Sequence, residues 1–591
     1  MEKLFRQAIR KAKKGKAAGP DGVPMELLQI CPAAFSELLF ELFAAGARMR
    51  CVMKNWDFSI LIPIYKKKGL IAVPANHRPL RLILSIRKIF EMGTTERLVR
   101  ESPDEIQQYG FNEKSMALTP VALVVSAASL RYVLTILLDL IKAYDLVQRD
   151  QVMAIVDEEH STETAGMVAT LLQSSTVMTA GDETKLIKTV NVGLTQGGPA
   201  SPALYNKAAN VLIRRVLHAL RIVDDGNCPA PLKAFADDIA LQLTSDVAAA
   251  IALRAAGGWA ADLLMRFNME QGKSVELVES GKRQNVPRTL GGDALRGVHE
   301  DQYLGVGLSA RGPTPGPVES RVNGASATLA TLKLTKALVR GMAITTATEM
   351  HKAFLEAKWT YGCFFTPMTT TLRQKIDGLD AGFISATLTA VTLRRRRNSL
   401  PLAIALLRMD SPDLVRKIRA HQFVAQINHT SDDTNLPNHV RERAAVARQE
   451  LHAVPLLGRL VPDLENPWKP SDIRAAREDE WEKAFEGRKR RPPKAGRGKE
   501  KLPWGLRLLP PWSRALVARY FLVTFPIIEK RVTVAGKKKY LAAAKTPAEV
   551  KALRSLRMMH VEWSGQQNDL DEVRYALEIL RGRGSRGRYD D

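Results

Sequence analysis

The stretch LLDLIKAYDLV, residues 137–147, places an aspartate at the end of an apolar run, and FADDIAL, residues 235–241, places two aspartates between apolar residues. The run from Arg131 to Leu138 is rich in Val, Ile and Leu, which is typical of a buried central strand. The run from Lys233 to Leu243 is apolar on both sides of the aspartate pair, which predicts a β-hairpin. The two stretches therefore predict a sheet whose strand and hairpin end in carboxylates.

The carboxylates are those of Asp139, Asp237 and Asp238. A carboxylate beside buried apolar residues is costly unless it is paired or binds a metal. If the three lie together, they form an oxygen-rich site for Mg²⁺, and two ions about 3.5 to 4 Å apart would activate a hydroxyl nucleophile and stabilise a leaving group. An Asp-Asp pair at a turn, taken alone, is more often solvated turn chemistry. The interpretation therefore depends on the neighbouring motifs.

Composition and charge narrow the class of protein. The chain has 591 residues, of which 45% are hydrophobic and 25% charged, so we expect several folded domains rather than a disordered or fibrous chain. Lys and Arg number 87 against 62 Asp and Glu, a net charge of +25, which favours a polyanionic partner and salt-sensitive binding. Four cysteines without CxxC spacing argue against a zinc site or a disulfide framework.

The N-terminus and the most apolar window bear on location. The first twenty residues are basic and lack the apolar core of a secretory signal, so we expect an intracellular protein. The window Val121 to Ile141 is long enough to span a bilayer, but Arg131 and Asp139 interrupt it, which favours a helix followed by a buried strand and no membrane segment. We expect a nuclear location, with a cytoplasmic ribonucleoprotein as the alternative.

Local patterns predict further elements. Gly19 to Gly22 is a breaker cluster, and Met25 to Met49 has helical spacing. A polar entry at His77 leads into a predicted helix that ends near Leu98. The remaining predictions are a helix in Glu2–Lys14, a short strand in Ser59–Tyr65, and long helices in Ser320–Thr346, Ser411–Ile427 and Asn438–His452.

Nine blocks of sequence follow one another over about residues 1–310. They are GKAAGPDGVPMELL (15–28), WDFSILIPIYKKKG (56–69), NHRPLRLILSIRKIFE (76–91), QYGF (108–111), LLDLIKAYDLV (137–147), GLTQGGPASPALYN (193–206), FADDIAL (235–241), RFNMEQGKS (266–274) and YLGVGL (303–308). In these blocks the chain resembles the reverse transcriptases of non-LTR (LINE-type, jockey-like) retrotransposons, with a weaker likeness to group II intron enzymes. FADD alone would be weak, but at least seven blocks in the family's order are hard to obtain by chance.

The resemblance implies an α+β right-hand polymerase of fingers, palm and thumb with a mostly helical C-terminal extension. The implied domains are an N-terminal block and fingers in 1–130, a palm with part of the fingers in 131–310, a helical thumb in 311–430, a basic helical extension in 431–580, and a disordered Arg/Gly tail in 581–591.

The resemblance also implies a catalytic site. Asp139, Asp237 and Asp238 would be the catalytic acids and would bind two Mg²⁺ ions, or Mn²⁺ in their place, with the backbone carbonyl of Leu140 as a further ligand. Tyr144 matches a steric gate that rejects the ribose 2′-hydroxyl. A core tyrosine after a strand is the alternative for Tyr144.

Further residues match the nucleotide and primer contacts of the family. Gln196 and Gly197 match the template and nucleotide-positioning loop, although Gly197 is otherwise only a turn residue. Lys273 matches a lysine that would assist pyrophosphate departure. Basic fingers residues that would clamp the triphosphate are Lys66 or Lys67 and Arg78, and the primer-grip hairpin would contain Tyr303, Leu304 and Gly305. A solvated loop is the alternative for the lysine run.

Two basic clusters lie in the C-terminal half, where they would contact phosphates of a nucleic-acid backbone without reading sequence. Solvated surface and nuclear-import signals are the alternatives. The clusters are Arg394, Arg395, Arg396 and Arg397, and Arg488, Lys489, Arg490 and Arg491.

We therefore expect an RNA-directed DNA polymerase that extends a primer 3′-hydroxyl with dNTPs on an RNA template, with template RNA, primer or target DNA and dNTPs as partners. The family often has Ser at position 198 and Leu at position 200, where this chain has Gly and Ala. Another chain or a missing segment would supply the endonuclease. The alternatives are an RNA-dependent RNA polymerase, against which FADD and Tyr144 argue, and an inactive element-derived RNA-binding protein, against which the intact acids argue.

Overall fold

The structure is a computed structural model, and it describes residues 2–51, 56–67, 69–128, 133–173, 175–179, 185–190, 192–221, 231–279, 287–335, 337–338, 344–388, 400, 404 and 409–484. Its helices are α1 (Glu2–Lys11), α2 (Met25–Ile30), α3 (Ala33–Met49), α4 (Ser85–Glu101), α5 (Leu118–Ala128), α6 (Ala143–Leu146), α7 (Arg149–Glu159), α8 (Thr162–Leu172), α9 (Ser201–Arg221), α10 (Asp246–Asp262), α11 (Gly316–Leu334), α12 (Ile344–His351), α13 (Ala357–Trp359), α14 (Thr370–Leu388), α15 (Pro412–Asp432), α16 (Asn438–Leu451), α17 (Pro455–Leu460) and α18 (Pro470–Lys483).

The strands are β1 (Phe58–Tyr65), β2 (His77–Ile83), β3 (Leu134–Leu138), β4 (Ser175–Thr179), β5 (Lys185–Val190), β6 (Leu232–Phe235), β7 (Asp238–Leu243), β8 (Val275–Leu277), β9 (Thr289–Leu290), β10 (Asp293–Ala294), β11 (Arg296–Val298), β12 (Glu300–Tyr303), β13 (Val306–Ser309) and β14 (Gly312–Thr314). The chain divides into two compact units. Among the described residues, the first contains those up to Pro313 and Gln426–Pro455, and the second contains Thr314–Ala425 and Leu456–Ala484.

A five-stranded sheet in the order β11-β8-β3-β7-β6 is the centre of the first unit. The predicted central strand is confirmed, because β3 lies between β8 and β7 and four of its five residues are buried. The predicted hairpin is also confirmed, with Phe235 of β6 opposite Asp238 of β7. Helices α9 and α10 pack against this sheet, and their apolar side chains join its core. The expected α+β fold class is confirmed.

A second sheet has the order β2-β1-β4-β5. The predicted strand at Ser59–Tyr65 is confirmed, but the predicted helix that follows the polar entry His77-Arg78-Pro79 and ends near Leu98 is wrong at its start. His77–Ile83 is strand β2, which pairs antiparallel with β1, and helix α4 begins only at Ser85. Pro79 faces Pro63 within this pairing. The run PLRLI (79–83) fits the period of a helix as well as that of a strand. Its pairing with β1 decides that it is a strand.

The N-terminal helices pack on α4 through aromatic side chains. Phe5, Phe43 and Phe90 are fully buried, and the ring centroids of Phe5 and Phe43 lie 4.6 Å apart. The predicted helical stretch Met25–Met49 is two helices, because it is interrupted at Cys31 and Pro32. Proline lacks the N–H that a continuing helix would use, and it disfavours helical backbone at the residue before it.

Helix α16 belongs to the first unit, although it lies more than 100 residues beyond the last sheet strand in sequence. It packs on α5, and the guanidinium of Arg443 donates to the backbone carbonyls of Asp104, Glu105 and Ile106 at 3.2 to 3.3 Å. The expected domain boundaries, including a thumb in 311–430 and an extension in 431–580, stay predictions.

The described part of the second unit is almost entirely helical. The predicted helix Ser320–Thr346 is wrong in its extent, because α11 ends at Leu334 and α12 begins at Ile344. The predicted helices at Ser411–Ile427 and Asn438–His452 are confirmed as α15 and α16. In the described part of the chain, no helix is long and apolar enough to cross a membrane.

Candidate active site

The three aspartates meet at one end of the five-stranded sheet. Asp139, Asp237 and Asp238 together are called the acidic tip. Leu138 of β3 lies opposite Ile239 of β7, so the next residues along each strand, Asp139 and Asp238, come side by side. Asp237 is the second residue of the two-residue turn that joins β6 to β7. The register therefore brings together all three acids that the sequence predicted, although about 100 residues separate Asp139 from the pair.

Burial and mutual repulsion perturb two of the acids. Burial raises the pKa of Asp237, and the Asp139 carboxylate raises it further, while a hydrogen bond from its own backbone N–H and the Lys273 ammonium oppose the rise. Burial raises the pKa of Asp238 to about 7, with Asp237 and Asp139 adding to the rise and Lys273 again opposing it. These carboxyl groups therefore lie close enough to repel one another when they are ionised.

The hydrogen bonds that pair the end of β3 with residues 266–268 leave the carbonyl of Leu140 unused. The amide of Asn268 donates to the carbonyl of Asp139 at 2.7 Å, and the amide of Ile141 donates to the carbonyl of Arg266 at 3.0 Å. These bonds flank the bridge between Leu140 and Phe267 and use neither polar group of Leu140. Because successive carbonyls of a strand alternate in direction, that of Leu140 points away from the 266–268 segment.

The donor chemistry of this tip suits a hard divalent cation, because carboxylate and carbonyl oxygens are the ligands that such ions prefer. Two of the three carboxyl groups have raised pKa values, which a cation would reverse. In the described part of the chain, no group of three or more His, Cys, Asp or Glu side chains is already arranged as a metal cage. Metal binding would therefore require these side chains to turn toward a common point.

Tyr144 stands beside the acidic tip with its ring packed on two aromatic neighbours. Its ring centroid lies 4.9 Å from that of Tyr205 in a stacked arrangement and 6.2 Å from that of Phe111, edge to face. Burial and the Asp237 carboxylate raise the pKa of Tyr144. Its buried hydroxyl has no hydrogen-bond partner among the described residues. The ring is therefore held rigidly by packing rather than by its hydroxyl.

Gln196 and Gly197 lie in the loop that precedes α9. This loop forms hydrogen bonds with both the Tyr144 turn and strand β2. Gln196 Nε2 donates to Asp145 Oδ1 at 2.9 Å, and its carbonyl accepts from the amide of Arg81 at 2.7 Å. Gly197 has a φ of 107°, and a Cβ built there would lie 2.6 Å from the carbonyl oxygen of Arg81. Only glycine fits both the conformation and the space.

Buried charged side chains form hydrogen bonds with this loop. Arg87 donates to Glu91 at 2.9 Å, and the other carboxylate oxygen of Glu91 accepts from the amide of Ala200 at 3.2 Å. Arg149 donates to the carbonyl of Gly193 at 2.8 Å. A Cβ at position 198 would lie 2.5 Å from Glu91 Oε2, so the glycine that departs from the family's usual serine has a local reason.

Lys273 lies beside the acidic tip, with its ammonium 3.4 Å from Asp139 Oδ2. Its role at the departing pyrophosphate stays a prediction. The fingers residues lie elsewhere on the hairpin of β1 and β2. Lys66 and Lys67 are exposed at its turn, where Lys66 Nζ donates to the carbonyl of Ala75 at 3.0 Å, and Arg78 is exposed on β2. Their roles in nucleotide binding stay predictions.

The predicted primer-grip residues form the turn of a hairpin. Tyr303 of β12 lies opposite Val306 of β13, and the turn residues Leu304 and Gly305 have φ angles of 47° and 78°. The Tyr303 ring is buried, and its hydroxyl donates to the carbonyl of Lys233 on β6 at 3.3 Å. The hairpin is thereby attached to the strand that leads to Asp237. Its role as a primer grip stays a prediction.

The structure adds two polar residues that the sequence patterns did not indicate. Asp145 accepts a hydrogen bond from the side-chain amide of Gln196. Arg81 is a half-buried residue of β2. Burial lowers its pKa, and the Asp145 carboxylate opposes this decrease without cancelling it. No sequence pattern indicated Arg81, since polar and apolar residues do not alternate along β2. The signal for Asp145 was only its position next to Tyr144. The basic clusters Arg394–Arg397 and Arg488–Arg491 lie outside the described residues.

Comparisons with known proteins agree with this geometry. The family described as "Reverse transcriptase (RNA-dependent DNA polymerase)" matches residues 64–308, which include the acidic tip, Tyr144, the 193–200 loop and the turn between β12 and β13. Over 230 residues the chain is 24% identical to the "Retrovirus-related Pol polyprotein from type-1 retrotransposable element R1" of Bradysia coprophila, an alignment that covers 37% of this chain and 23% of that protein.

A second relative is the "Probable RNA-directed DNA polymerase from transposon BS" of Drosophila melanogaster, 22% identical over 326 residues, or 52% of this chain and 35% of that protein. The chain thus spans about a third or less of the length of these relatives. The resemblance inferred from the sequence blocks, and with it the expected right-hand fold, is confirmed.

Two solved structures with a distant likeness are telomerases. One is apo telomerase from Candida tropicalis truncated from the C-terminal domain, with 10% identity and a TM-score of 0.32, covering 46% of this chain and 59% of that one. The other is telomerase from Candida albicans in complex with a fragment of telomeric RNA, with 8% identity and a TM-score of 0.33, covering 64% and 66%.

Proposed function

We propose, on the premise that this chain carries a reverse transcriptase domain related to those of non-LTR retrotransposons, that it is an RNA-directed DNA polymerase. It would extend the 3′-hydroxyl of a primer with dNTPs on an RNA template. The observation that carries the proposal is the register of β3 and β7, which places Asp139 beside the Asp237-Asp238 turn. Phosphoryl transfer depends mainly on positioning and electrostatic stabilisation, which such an acidic tip provides through bound cations.

Asp139, Asp237, Asp238 and the carbonyl of Leu140 would hold two Mg²⁺ ions at this tip. When bound, the ions would lower the pKa of the primer hydroxyl and neutralise charge on the leaving pyrophosphate. The raised pKa values of Asp237 and Asp238 mean that metal binding at neutral pH would displace protons. We therefore expect extension to require both a divalent cation and a pH at which these acids are ionised.

The chain's own residues would select and orient the incoming nucleotide. The Tyr144 ring, held between Tyr205 and Phe111, would clash with a ribose 2′-hydroxyl and so favour dNTPs. The loop containing Gln196 and Gly197 would contact the base pair. A hydrogen bond to β2 would hold the loop in position for this contact. Lys273 would neutralise charge on the departing pyrophosphate, and Lys66, Lys67 and Arg78 would contact the triphosphate.

A primer-extension assay on an RNA template, with dNTPs and rNTPs in parallel, tests the proposal. We expect Mg²⁺-dependent DNA synthesis by the wild-type chain and a loss of ~1,000-fold or more in Asp139→Asn, because the metal site would lose a carboxylate. Asp262→Asn is the matched control, since Asp262 lies on α10 in an exposed pair with Arg215. Nucleic-acid affinity should be unchanged in both variants.

Each other result would point to a different function. Preferential use of rNTPs would indicate an RNA-dependent RNA polymerase. Tight RNA binding without synthesis of either polymer would indicate an inactive element-derived RNA-binding protein. Near-normal extension by Asp139→Asn would contradict the assignment of the metal site.

A further inference from the structure

We infer that Gln108 is a positioning residue for Asp237, which it holds in place by accepting a hydrogen bond from the turn between β6 and β7. The inference rests on the proposed function, because the position of Asp237 affects a rate only if the acidic tip polymerises nucleotides. Gln108 contacts the backbone of the turn and not the reacting atoms, and the sequence blocks around QYGF assign it no role.

Gln108 lies in a fully buried position next to the turn, with 0% of the residue exposed. Its Oε1 accepts one hydrogen bond from the amide of Ala236 and one from the amide of Gly110, both at 2.9 Å. Since both neighbours are N–H donors, the oxygen rather than the nitrogen of the side-chain amide must face them. A single side-chain oxygen thus joins two backbone segments, one residue before Asp237.

The backbone on each side of Gln108 also forms hydrogen bonds with β6. The amide of Ala234 donates to the carbonyl of Gln107 at 2.9 Å, and the amide of Tyr109 donates to the carbonyl of Ala234 at 2.8 Å. β6 is the last strand of the five-stranded sheet, so this segment covers an otherwise unpaired edge. A Cβ at Gly110 would lie 2.2 Å from the amide nitrogen of Ala236, which shows how closely the two backbones approach.

The turn that carries Asp237 has a conformation that requires support. Ala236 has a φ of 58°, in the left-handed region that residues with a Cβ rarely adopt. The hydrogen bond from its amide to Gln108 holds the residue there. Without this acceptor, Ala236 is free to return to a more favourable φ, which would rotate the following peptide and move the Asp237 carboxylate.

The other end of the segment is anchored as well. Arg443 of α16 donates to the carbonyls of Asp104, Glu105 and Ile106, just before Gln107. Asp104 is itself buried in an ion pair with Lys207, at 3.0 Å. Because the segment is fixed on the side away from the turn, the Gln108 side chain provides a rigid point of attachment for the turn.

The test compares two substitutions of identical chemistry at adjacent positions in the full chain. Gln108→Met keeps the side-chain length and removes the acceptor. Gln107→Met is the matched control, since among the described residues only the backbone of Gln107, and not its side chain, bonds to the hairpin. Gln108→Glu retains an oxygen that can accept both bonds. The readouts are steady-state primer extension, primer–template binding, and hydrogen exchange of a peptide covering 232–241.

We expect Gln108→Met to lower kcat by ~10- to 100-fold, because a displacement of about 1 Å at a reacting centre has an effect of that size. The KM for dNTP and the Kd for primer–template should stay within about two-fold of wild type. Exchange over 232–241 should be faster in Gln108→Met and close to wild type in Gln107→Met and Gln108→Glu. A wild-type kcat or wild-type exchange over 232–241 in Gln108→Met would overturn the inference.

Failure of the proposed function has a different signature. If wild type and Gln107→Met do not extend a primer, the polymerase assignment fails, and the exchange comparison alone decides whether Gln108 holds the turn. If Gln108→Met exchanges rapidly throughout the chain, Gln108→Asn replaces it, since Asn withdraws the oxygen by one methylene. Faster exchange confined to 232–241 then supports the inference, and exchange equal to that of Gln108→Glu overturns it.

Discussion

The Lys273 ammonium lies 3.4 Å from Asp139 Oδ2, so the acidic tip contains a cationic side chain of its own. Ser274, the next residue, accepts a hydrogen bond from the amide of Asp139 at 3.2 Å and donates one to its carbonyl at 3.3 Å. The turn that carries Lys273 is thus attached to the strand end that carries Asp139. The electrostatics of the tip therefore depend on a segment that is distant in sequence from both acidic motifs.

Replacement of Lys273 should shift the pH dependence of extension. Lys273 lowers the pKa values of Asp237 and Asp238, which burial raises. Activity is lost as pH falls through these pKa values, because protonated acids bind no cation, so Lys273→Met should move this loss to higher pH. It should also lower kcat ~10-fold. Lys273→Arg is the control that keeps the charge, and identical pH profiles for wild type and Lys273→Met would refute the electrostatic role.

Tyr144→Ala should relax sugar discrimination. Removal of the ring that packs on Tyr205 opens the space that a 2′-hydroxyl would occupy, so the preference for dNTP over rNTP should fall by roughly 10- to 100-fold. Tyr144→Phe should retain the preference, since the hydroxyl has no partner among the described residues. Competition between dGTP and rGTP at one template position measures the effect, and equal discrimination in wild type and Tyr144→Ala would exclude the gate.

Gly197→Ala should impair primer extension because it displaces the loop that contains Gln196 and Gly197. The new Cβ would lie 2.6 Å from the carbonyl oxygen of Arg81, and φ at this position is 107°. Relieving both requires a shift of the loop, at a local cost of about 1 to 3 kcal/mol. We expect kcat/KM for dNTP to fall ~10-fold or more. Gly258→Ala is the control, because nothing among the described residues lies within 4 Å of a Cβ there, and comparable losses in both variants would argue against a specific loop effect.

His421 should make the second unit sensitive to acid. The His421 ring stacks on Trp468 at 4.1 Å, and its Nδ1 accepts from the Trp468 amide at 3.0 Å. Burial lowers the pKa of His421 to about 4, with Lys417 adding to the decrease. The unfolded chain binds the proton near pH 6.5, so stability from this contact is present above that pH and is lost as pH falls from about 6.5 to about 4.

Thermal unfolding of the wild type and of His421→Gln over pH 4 to 7 measures this effect. Gln keeps an acceptor and does not titrate, so the wild type should lose more of its melting temperature than the variant as pH decreases through this window. A parallel decrease in both proteins would show that other groups control acid stability.

Some of the local structure could be read from short patterns. The apolar run at β3, the acidic hairpin of β6 and β7, and helices α15 and α16 were predicted because periodicity and burial are written within a few residues. The segment His77–Leu98 was misread, because an apolar run beside a basic entry fits either period, and the choice depends on pairing with β1. The helix at Met25–Met49 was interrupted where Pro32 removes an N–H donor.

For the site, the sequence determined the chemical groups: three carboxylates, an aromatic ring, a glutamine-glycine loop and a lysine, in an order that indicates polymerisation. Only the tertiary structure decided what holds those groups in place. Gln108 accepts from Ala236, 128 residues away, and Gln196 donates to Asp145, 51 residues away. A hydrogen bond between distant residues leaves no local periodicity, because neither partner's sequence neighbourhood records the other. Strand register and chain packing bring them together, and these are properties of the whole fold.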